Sequence, residues 1–201
     1  MTAFVWNGTP PPTLDSSYTR EKVGLLASKA TSKYDIGVTY TCELGDGEQN
    51  TFYVLETNGD NVSLILGMNL GNEVAWSEDG NNYKDDESAQ AVTIKAVLKE
   101  RASAWTKLNE GQITLPTGQQ IATAGGDTKW NNSTYGNGIS SAKWLCSYTD
   151  VNKLGYWTSS PTTDRDDFAW LVHSTCTINS TTTTEKMGIR PVITISKSQL
   201  D

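Results

Sequence analysis

The sequence is poor in histidine, cysteine and basic residues, and each shortage argues against a class of protein. Its 201 residues include one histidine, three cysteines and 16 lysines and arginines against 23 acids, giving a formal net charge of -7. Nucleic acids and anionic membrane surfaces are bound by clustered Lys and Arg. The sequence has no such cluster, and we therefore expect no nucleic-acid partner.

Long apolar runs are also missing. No stretch approaches the roughly 20 apolar residues that a membrane-spanning helix needs, so we expect no direct membrane insertion. The N-terminus "MTAFVWNGTPPP" lacks the basic-then-apolar order of a signal peptide. If the protein is exported, we expect its anchor or signal to lie upstream of Met1.

The cysteines, Cys42, Cys146 and Cys176, form no CxxC pair, and with one histidine a zinc site is not expected. The residues leave two alternatives open. Cys146 and Cys176 could form a disulfide, which suits an extracellular protein. Alternatively, all three cysteines are buried free thiols.

The sequence offers little for catalysis. His173 is the only imidazole, and no GxSxG nucleophile elbow accompanies it. A glycosidase needs two separated carboxylates, whereas Asp164, Asp166 and Asp167 are clustered in one segment. We interpret these acids as groups for solubility and partner contact, and we predict that the protein is not an enzyme.

Two regions differ in character. Residues 1–33 are predicted to be an N-terminal extension, with a Pro-rich segment and a short helix from Ser17 to Ser28. Residues 34–201 are predicted to be one domain. Its clearest element is a hairpin in which Phe52 to Leu55 and Val62 to Leu66 flank a turn at Asn58-Gly59.

Later segments predict helices and further strands. Apolar residues recur at helical spacing from Ser88 to Leu108, with Asp85, Asp86, Glu87 and Ser88 at the expected helix start. "ITLPTGQQIATAGG" predicts a strand, a capping Thr, a short helix and a Gly stop. Val192 to Ile195 is predicted to be a terminal strand, and "STCTINSTTTTEK" a long exposed loop or hairpin tip. Short strands with one long and one short helix indicate an α+β fold.

Several motifs occur in a recognisable order over residues 34 to 198: "FYVLETNGDNVSLIL", "SAWTKL", "LPTGQQIATA", "WL", "YWTSSP", "FAWLV" and "GIRPVITISKS". This ordered set resembles the C-type lectin-like domains of bacterial surface and pilin-like proteins. That group is related to formylglycine-generating-enzyme folds and to the variable proteins of diversity-generating retroelements. The resemblance implies small twisted antiparallel sheets that support long polar loops on one side.

The resemblance also bears on cofactors and chemistry. Sugar-binding members of this fold use a Glu-Pro-Asn or Gln-Pro-Asp triplet followed by Trp-Asn-Asp, and neither occurs here. The stretches "ELGDGEQN" and "SEDGNNYKDDES" hold enough acids for weak calcium binding. We therefore expect no cofactor other than a weakly held structural calcium. The fold's enzymes use two closely spaced cysteines, and Cys146 and Cys176 are far apart in sequence.

The C-terminal part is rich in Tyr, Trp, Asn, Ser, Thr and Gly, a composition typical of binding loops. We predict that Trp157 and Trp170 are core residues beneath a loop from Thr158 to Asp167 that faces a ligand. The predicted ligand-binding residues are Asn131, Asn132, Tyr135, Tyr156, Thr158, Ser160, Thr162, Thr163, Asp164, Arg165, Asp167, His173 and Asn179. If the resemblance to retroelement-diversified proteins holds, the ligand-facing residues would be those that an adenine-mutagenised template can encode, including Asn, Tyr, Ser, Thr, Asp and His.

These observations favour an extracellular or cell-surface module that recognises a surface protein or a glycan through its C-terminal loops. The alternative is a structural subunit of a pilus-like fibre whose loops only decorate the surface. An enzyme of the formylglycine-generating type is the least favoured hypothesis, since it would need another reactive cysteine.

Overall fold

The computed structural model describes residues 5–6, 32–78, 82–85, 92–136, 138–147 and 155–200. The predicted helix from Ser17 to Ser28 and the acidic residues Asp86 and Glu87 lie outside these ranges. Within them the fold is mixed α+β, with two helices and two sheets of mostly antiparallel strands. The α+β prediction is thus confirmed at that level.

The first sheet has six strands in the order β1-β2-β3-β4-β11-β6. Its strands are β1 (Val5–Trp6), β2 (Thr39–Cys42), β3 (Asn50–Asn58), β4 (Asn61–Leu66), β6 (Ile113–Thr114) and β11 (Val192–Ser196). The predicted hairpin is confirmed as β3 and β4, where Gly59 takes the φ of 56° that the tight turn requires. The predicted terminal strand is confirmed as β11, which pairs with β4.

The second sheet has five strands in the order β5-β10-β7-β8-β9. They are β5 (Leu70–Ala75), β7 (Gly155–Pro161), β8 (Phe168–His173), β9 (Thr177–Thr182) and β10 (Lys186–Ile189). The prediction that "STCTINSTTTTEK" forms a long exposed loop is wrong for Thr177–Thr182, because these residues pair along the whole of β8. Their β-branched threonines suit a strand at the edge of a sheet.

Helix α1 (Ile94–Ala104) is shorter than predicted. It begins after Thr93, whose side-chain oxygen accepts a hydrogen bond from the Ala96 N–H at 3.0 Å. Ser88 lies outside the described residues, but the predicted continuous helix from Ser88 to Leu108 is wrong within them, because residues 92–93 are not helical and the helix ends at Ala104. Asp85 is also not helical. Thr93, and not the acidic run placed at the expected helix start, supplies the N-terminal cap.

Helix α2 (Gly118–Gly125) follows its sequence signals closely. The Thr117 hydroxyl accepts a hydrogen bond from the Gln120 N–H at 3.0 Å, and the Gln120 side-chain oxygen accepts one from the Thr117 N–H. Gly126 ends the helix in the left-handed conformation with a φ of 73°. The predicted capping Thr and Gly stop are both confirmed.

The second sheet contributes to two hydrophobic clusters because side chains alternate along its strands. Trp157 and Leu171 join the cluster that includes α1 residue Ile94 and the centre of the first sheet. Tyr156 and Trp170 join the other cluster, with Ile121 of α2. Trp157 and Trp170 are 0% and 2% exposed, which confirms their prediction as core residues.

A buried arginine connects the two sheets to the segment that contains Trp144 and Leu145. Arg190 is 0% exposed, and its guanidinium donates hydrogen bonds to the carbonyl oxygens of Leu66, Trp144 and Leu145. Burying a charge is costly unless it is hydrogen-bonded in this way. The arginine in the closing "GIRPV" segment therefore has a structural role, and we call it with its three carbonyl partners the arginine clamp.

A disulfide lies beside this clamp. Cys146 and Cys176 are bonded, with their Cα atoms 5.3 Å apart, while Cys42 is a buried free thiol. The bond joins the segment that Arg190 holds to the turn between β8 and β9. Of the two alternatives left open by the sequence, the disulfide is the one observed.

Candidate ligand-binding notch

An aromatic cluster forms the base of the candidate site. The Trp170 ring, on β8, meets Trp130 edge-on at a centroid distance of 5.4 Å and Tyr135 at 5.1 Å. Trp170 and Trp130 are 2% and 5% exposed, whereas Tyr135 is 55% exposed. The cluster therefore runs from the core to the surface, and Tyr135 is its accessible end.

The segment 131–135 forms one wall over this base. The Trp170 indole N–H donates to the Asn132 carbonyl oxygen at 3.2 Å, and the Thr163 N–H donates to the same oxygen at 3.1 Å. The Tyr135 hydroxyl lies 2.7 Å from the Ser180 hydroxyl on β9. These bonds tie the wall to the core, to the facing loop and to the edge strand.

The loop between β7 and β8 forms the facing wall. The Thr162 hydroxyl donates to the Arg165 carbonyl oxygen at 2.8 Å, which closes the turn. The Arg165 guanidinium lies 3.5 Å from the centre of the Phe168 ring and pairs with the Asp167 carboxylate at 3.1 Å. A stacked and paired arginine is well suited to fix the shape of a loop.

A small concave site lies between these walls, and we call it the notch. Its volume is about 110 Å³, enough for one side chain or part of a sugar ring. The chain supplies its lining from four separate places: Ser133, Tyr135, Thr162, Asp164, Arg165, Phe168, Trp170 and Ser180.

The notch is acidic at its outer wall. The loop carries three aspartates and one arginine, and Arg165 is already paired with Asp167. Asp164 lines the notch. Asp164 and Asp166 are both exposed, but Asp166 lies outside the lining. The site therefore offers a carboxylate, several hydroxyls and an exposed aromatic ring to a ligand.

The predicted binding residues divide into groups. Tyr135, Thr162, Asp164 and Arg165 line the notch together. Asn131, Asn132, Thr163 and Asp167 are exposed and border it. Thr162 differs from its neighbours because it is 9% exposed and holds the turn.

Two predicted residues are wrong as ligand contacts because they are fully buried. The Tyr156 hydroxyl donates to the Leu145 carbonyl oxygen at 2.8 Å, and the Thr158 hydroxyl donates to the Trp170 carbonyl oxygen at 2.8 Å. Both residues are 0% exposed. The predicted loop tip from Thr158 to Asp167 therefore begins later, since strand β7 continues to Pro161.

Three other predicted residues lie outside the notch. The Ser160 hydroxyl accepts the Gly118 N–H at 3.0 Å at the start of α2. His173 Nδ1 lies 2.8 Å from the Thr175 hydroxyl in the turn that follows β8. Asn179 Nδ2 donates to the Thr177 hydroxyl at 3.4 Å, and Asn179 is half-buried. These side chains have local structural contacts.

Sequence reasoning missed four lining residues as ligand contacts: Ser133, Phe168, Trp170 and Ser180. Trp170 was assigned to the core alone, although its edge also reaches the notch. Ser180 was hidden in a threonine-rich stretch interpreted as a loop. Strand alternation along β9, which puts Ile178 and Ser180 on one side, is the signal that could have identified it.

The first candidate calcium stretch uses two of its three carboxylates, those of Glu43 and Asp46, as acceptors of internal hydrogen bonds. Glu43 accepts hydrogen bonds from the Lys107 ammonium and from the N–H groups of Gly47 and Gly45, which lower the pKa of Glu43 to about 2. Partial burial opposes ionisation of Asp46. Even so, hydrogen bonds from the Glu48 N–H, Asn50 and Trp105 leave the pKa of Asp46 below its usual value.

Among the residues that the structure describes, no group of three or more His, Cys, Asp or Glu side chains could hold a metal ion. The second candidate calcium stretch lies partly outside those residues. None of the described helices is long and apolar enough to cross a bilayer.

Comparison with known proteins gives no relative for this chain. No protein-family model matches it, and neither the curated proteins nor the solved structures contain a significant match. The resemblance to C-type lectin-like domains therefore stays a prediction based on the motifs.

Proposed function

We propose that the protein is a non-enzymatic recognition module that binds a surface protein or a glycan in the notch. The observation that carries this proposal is the meeting of residues from separate chain segments around an exposed tyrosine and a carboxylate, on a base of buried tryptophan. Binding sites commonly combine rigid aromatic area with a few placed polar groups.

The rigidity of the walls supports a ligand-binding function over that of a fibre subunit without a specific ligand. Thr163 and Trp170 both bond to the Asn132 carbonyl oxygen, so the two walls are connected through the core. The disulfide fixes the opposite end of the β8–β9 hairpin. A preformed site loses little conformational entropy when a ligand binds.

The same proposal covers the fold type and the location of the protein. The fold is of the C-type lectin-like type, and the protein acts outside the cell or on its surface. The disulfide is consistent with an oxidising compartment. Binding through the notch needs no calcium, since the described residues of its lining offer one aspartate rather than the several carboxylate ligands that calcium prefers.

The test is a binding screen of the whole protein against glycan and cell-surface protein arrays, with calcium and with chelator. Asp164→Asn and Tyr135→Ser change the notch lining. Asp166→Asn is the matched control, because it makes the same charge change in the same loop at a residue outside the lining. We expect a ligand that is retained by the control and by chelator treatment, and weakened by both notch variants.

Two results would argue against the proposal. Binding that survives both notch variants would assign the ligand to another surface. The absence of any ligand on either array would favour the alternative of a fibre subunit without a specific ligand.

A further inference from the structure

A second concave surface lies between α1 and strand β6, and we call it the lysine-rimmed groove. Its volume is about 310 Å³, nearly three times that of the notch. The residues that line it are Tyr83, Lys84, Lys95, Leu98, Lys99, Gly111, Ile113 and Thr114. None of the predicted ligand-binding residues is among them.

The base of the groove is apolar. Ile113 is 5% exposed, Tyr83 is 2% exposed, and Leu98 is half-buried against the core. The Tyr83 ring packs edge-on against Trp76 at a centroid distance of 5.5 Å, which fixes its position. Burial raises the pKa of Tyr83 to about 12, so this hydroxyl brings no negative charge near neutral pH.

The rim of the groove is cationic. Lys95 and Lys99 are four residues apart on α1 and so lie on the same side of the helix. Lys84 comes from the turn before the helix, and its Nζ lies 5.9 Å from the centre of the Tyr83 ring. Among the residues that the structure describes, the lining includes no acidic side chain, although the chain as a whole has a net charge of -7.

We propose that the groove binds a small organic anion, a carboxylate carried on an apolar body. The apolar base would contact the body of the ligand, while Lys84 and Lys99 would contact the carboxylate. Lys95 already interacts with another group of the protein. Contact with the ligand carboxylate is therefore assigned to Lys84 and Lys99. The volume lies at the lower end of the range of about 300 to 1,000 Å³ typical of small-molecule sites.

The charge of the rim decides between ligands of the same shape. Long-range attraction to exposed lysines favours an anion over its neutral analogue, and salt screens that attraction. This site is separate from the notch and does not depend on the function proposed for it.

The experiment is an amide NMR titration of the ¹⁵N-labelled protein with three matched probes: 2-naphthoate, 2-naphthylmethanol and 2-naphthylmethylamine. We expect saturable shifts at Leu98, Gly111 and Thr114, with affinity falling from the anion to the alcohol to the amine. Naphthoate affinity should also fall as sodium chloride is added.

Two double variants complete the test. Lys84→Gln with Lys99→Gln should weaken naphthoate binding about three- to tenfold, the range expected for two exposed ion pairs. Lys129→Gln with Lys186→Gln removes the same charge from exposed lysines outside the lining and should leave the affinity unchanged.

Three results would overturn the proposal. These are the absence of saturable shifts at probe concentrations up to about 10 mM, shifts that centre outside the groove, and equal affinity for the anion and the alcohol. Retention of full affinity by Lys84→Gln with Lys99→Gln would overturn the assignment of the two lysines.

Discussion

The turn at residues 43–48 and the loop at residues 163–167 are both acidic, but the protein uses their carboxylates differently. In the turn, Glu43 and Asp46 each accept several hydrogen bonds from the protein itself. In the loop, the Asp167 carboxylate pairs among the described residues only with Arg165, its close neighbour, while Asp164 faces the notch. The turn is therefore part of the scaffold, and the loop presents carboxylate groups to solvent.

The turn and the loop differ in the hydrogen-bond donors that reach them from distant parts of the sequence, and not in their acidic residues. The indole N–H of Trp105 reaches Asp46 at 2.7 Å from 59 positions away in the sequence. Lys107, from the same segment after α1, reaches Glu43. Donors from remote segments thus convert an acidic turn into a structural one, and an acidic loop without them stays exposed to solvent.

The largest effect is expected in the strand that leads into the 163–167 loop. Trp157→Ala should lower the free energy of unfolding by about 3 to 5 kcal/mol, because a large buried ring is removed and the indole bond to the Val74 carbonyl oxygen is lost with it. Urea unfolding measures this change. A loss below about 1 kcal/mol would show that Trp157 is not a core residue of the folded protein.

Removing a scaffold carboxylate comes next. Asp46→Ala should cost about 1 to 3 kcal/mol of unfolding free energy, because the Trp105 indole N–H, on a residue 0% exposed, loses its acceptor. Glu48→Ala is the control in the same turn. It alters an exposed side chain and should stay within about 0.5 kcal/mol of the wild type.

Glu43 gives the turn a pH signature. The folded-state pKa of about 2 is below the unfolded value near 4.3. The bound carboxylate therefore stabilises the protein fully above about pH 4.5, and this contribution is lost as the pH falls towards 2. The stability difference between wild type and Glu43→Gln should shrink across that window in urea unfolding at stepped pH. A difference that is constant with pH would contradict the hydrogen-bonding assignment.

The sequence predicted the elements whose signals are local. The β3–β4 hairpin, the Thr117 cap and the Gly126 stop depend on neighbouring residues, and all three are confirmed. The disulfide was one of two open alternatives, because only folding brings Cys146 close to Cys176.

Errors arose where tertiary contacts decide between similar residues. Thr158 and Thr163 look alike in the sequence, yet the first is buried in β7 and the second is exposed in the loop. Thr93 was overlooked as a cap beside a more obvious acidic run. Four of the predicted ligand-binding residues line the notch, while the lining contribution of Ser180 depends on the pairing of β9 with β8.

The most direct test of the difference between the two acidic regions is to measure the urea unfolding of Asp46→Ala and Asp164→Ala side by side. We expect Asp164→Ala to stay within about 0.5 kcal/mol of the wild type, since it alters an exposed loop residue. Asp46→Ala should lose about 1 to 3 kcal/mol. Equal losses would contradict the division into a structural turn and a solvent-exposed loop.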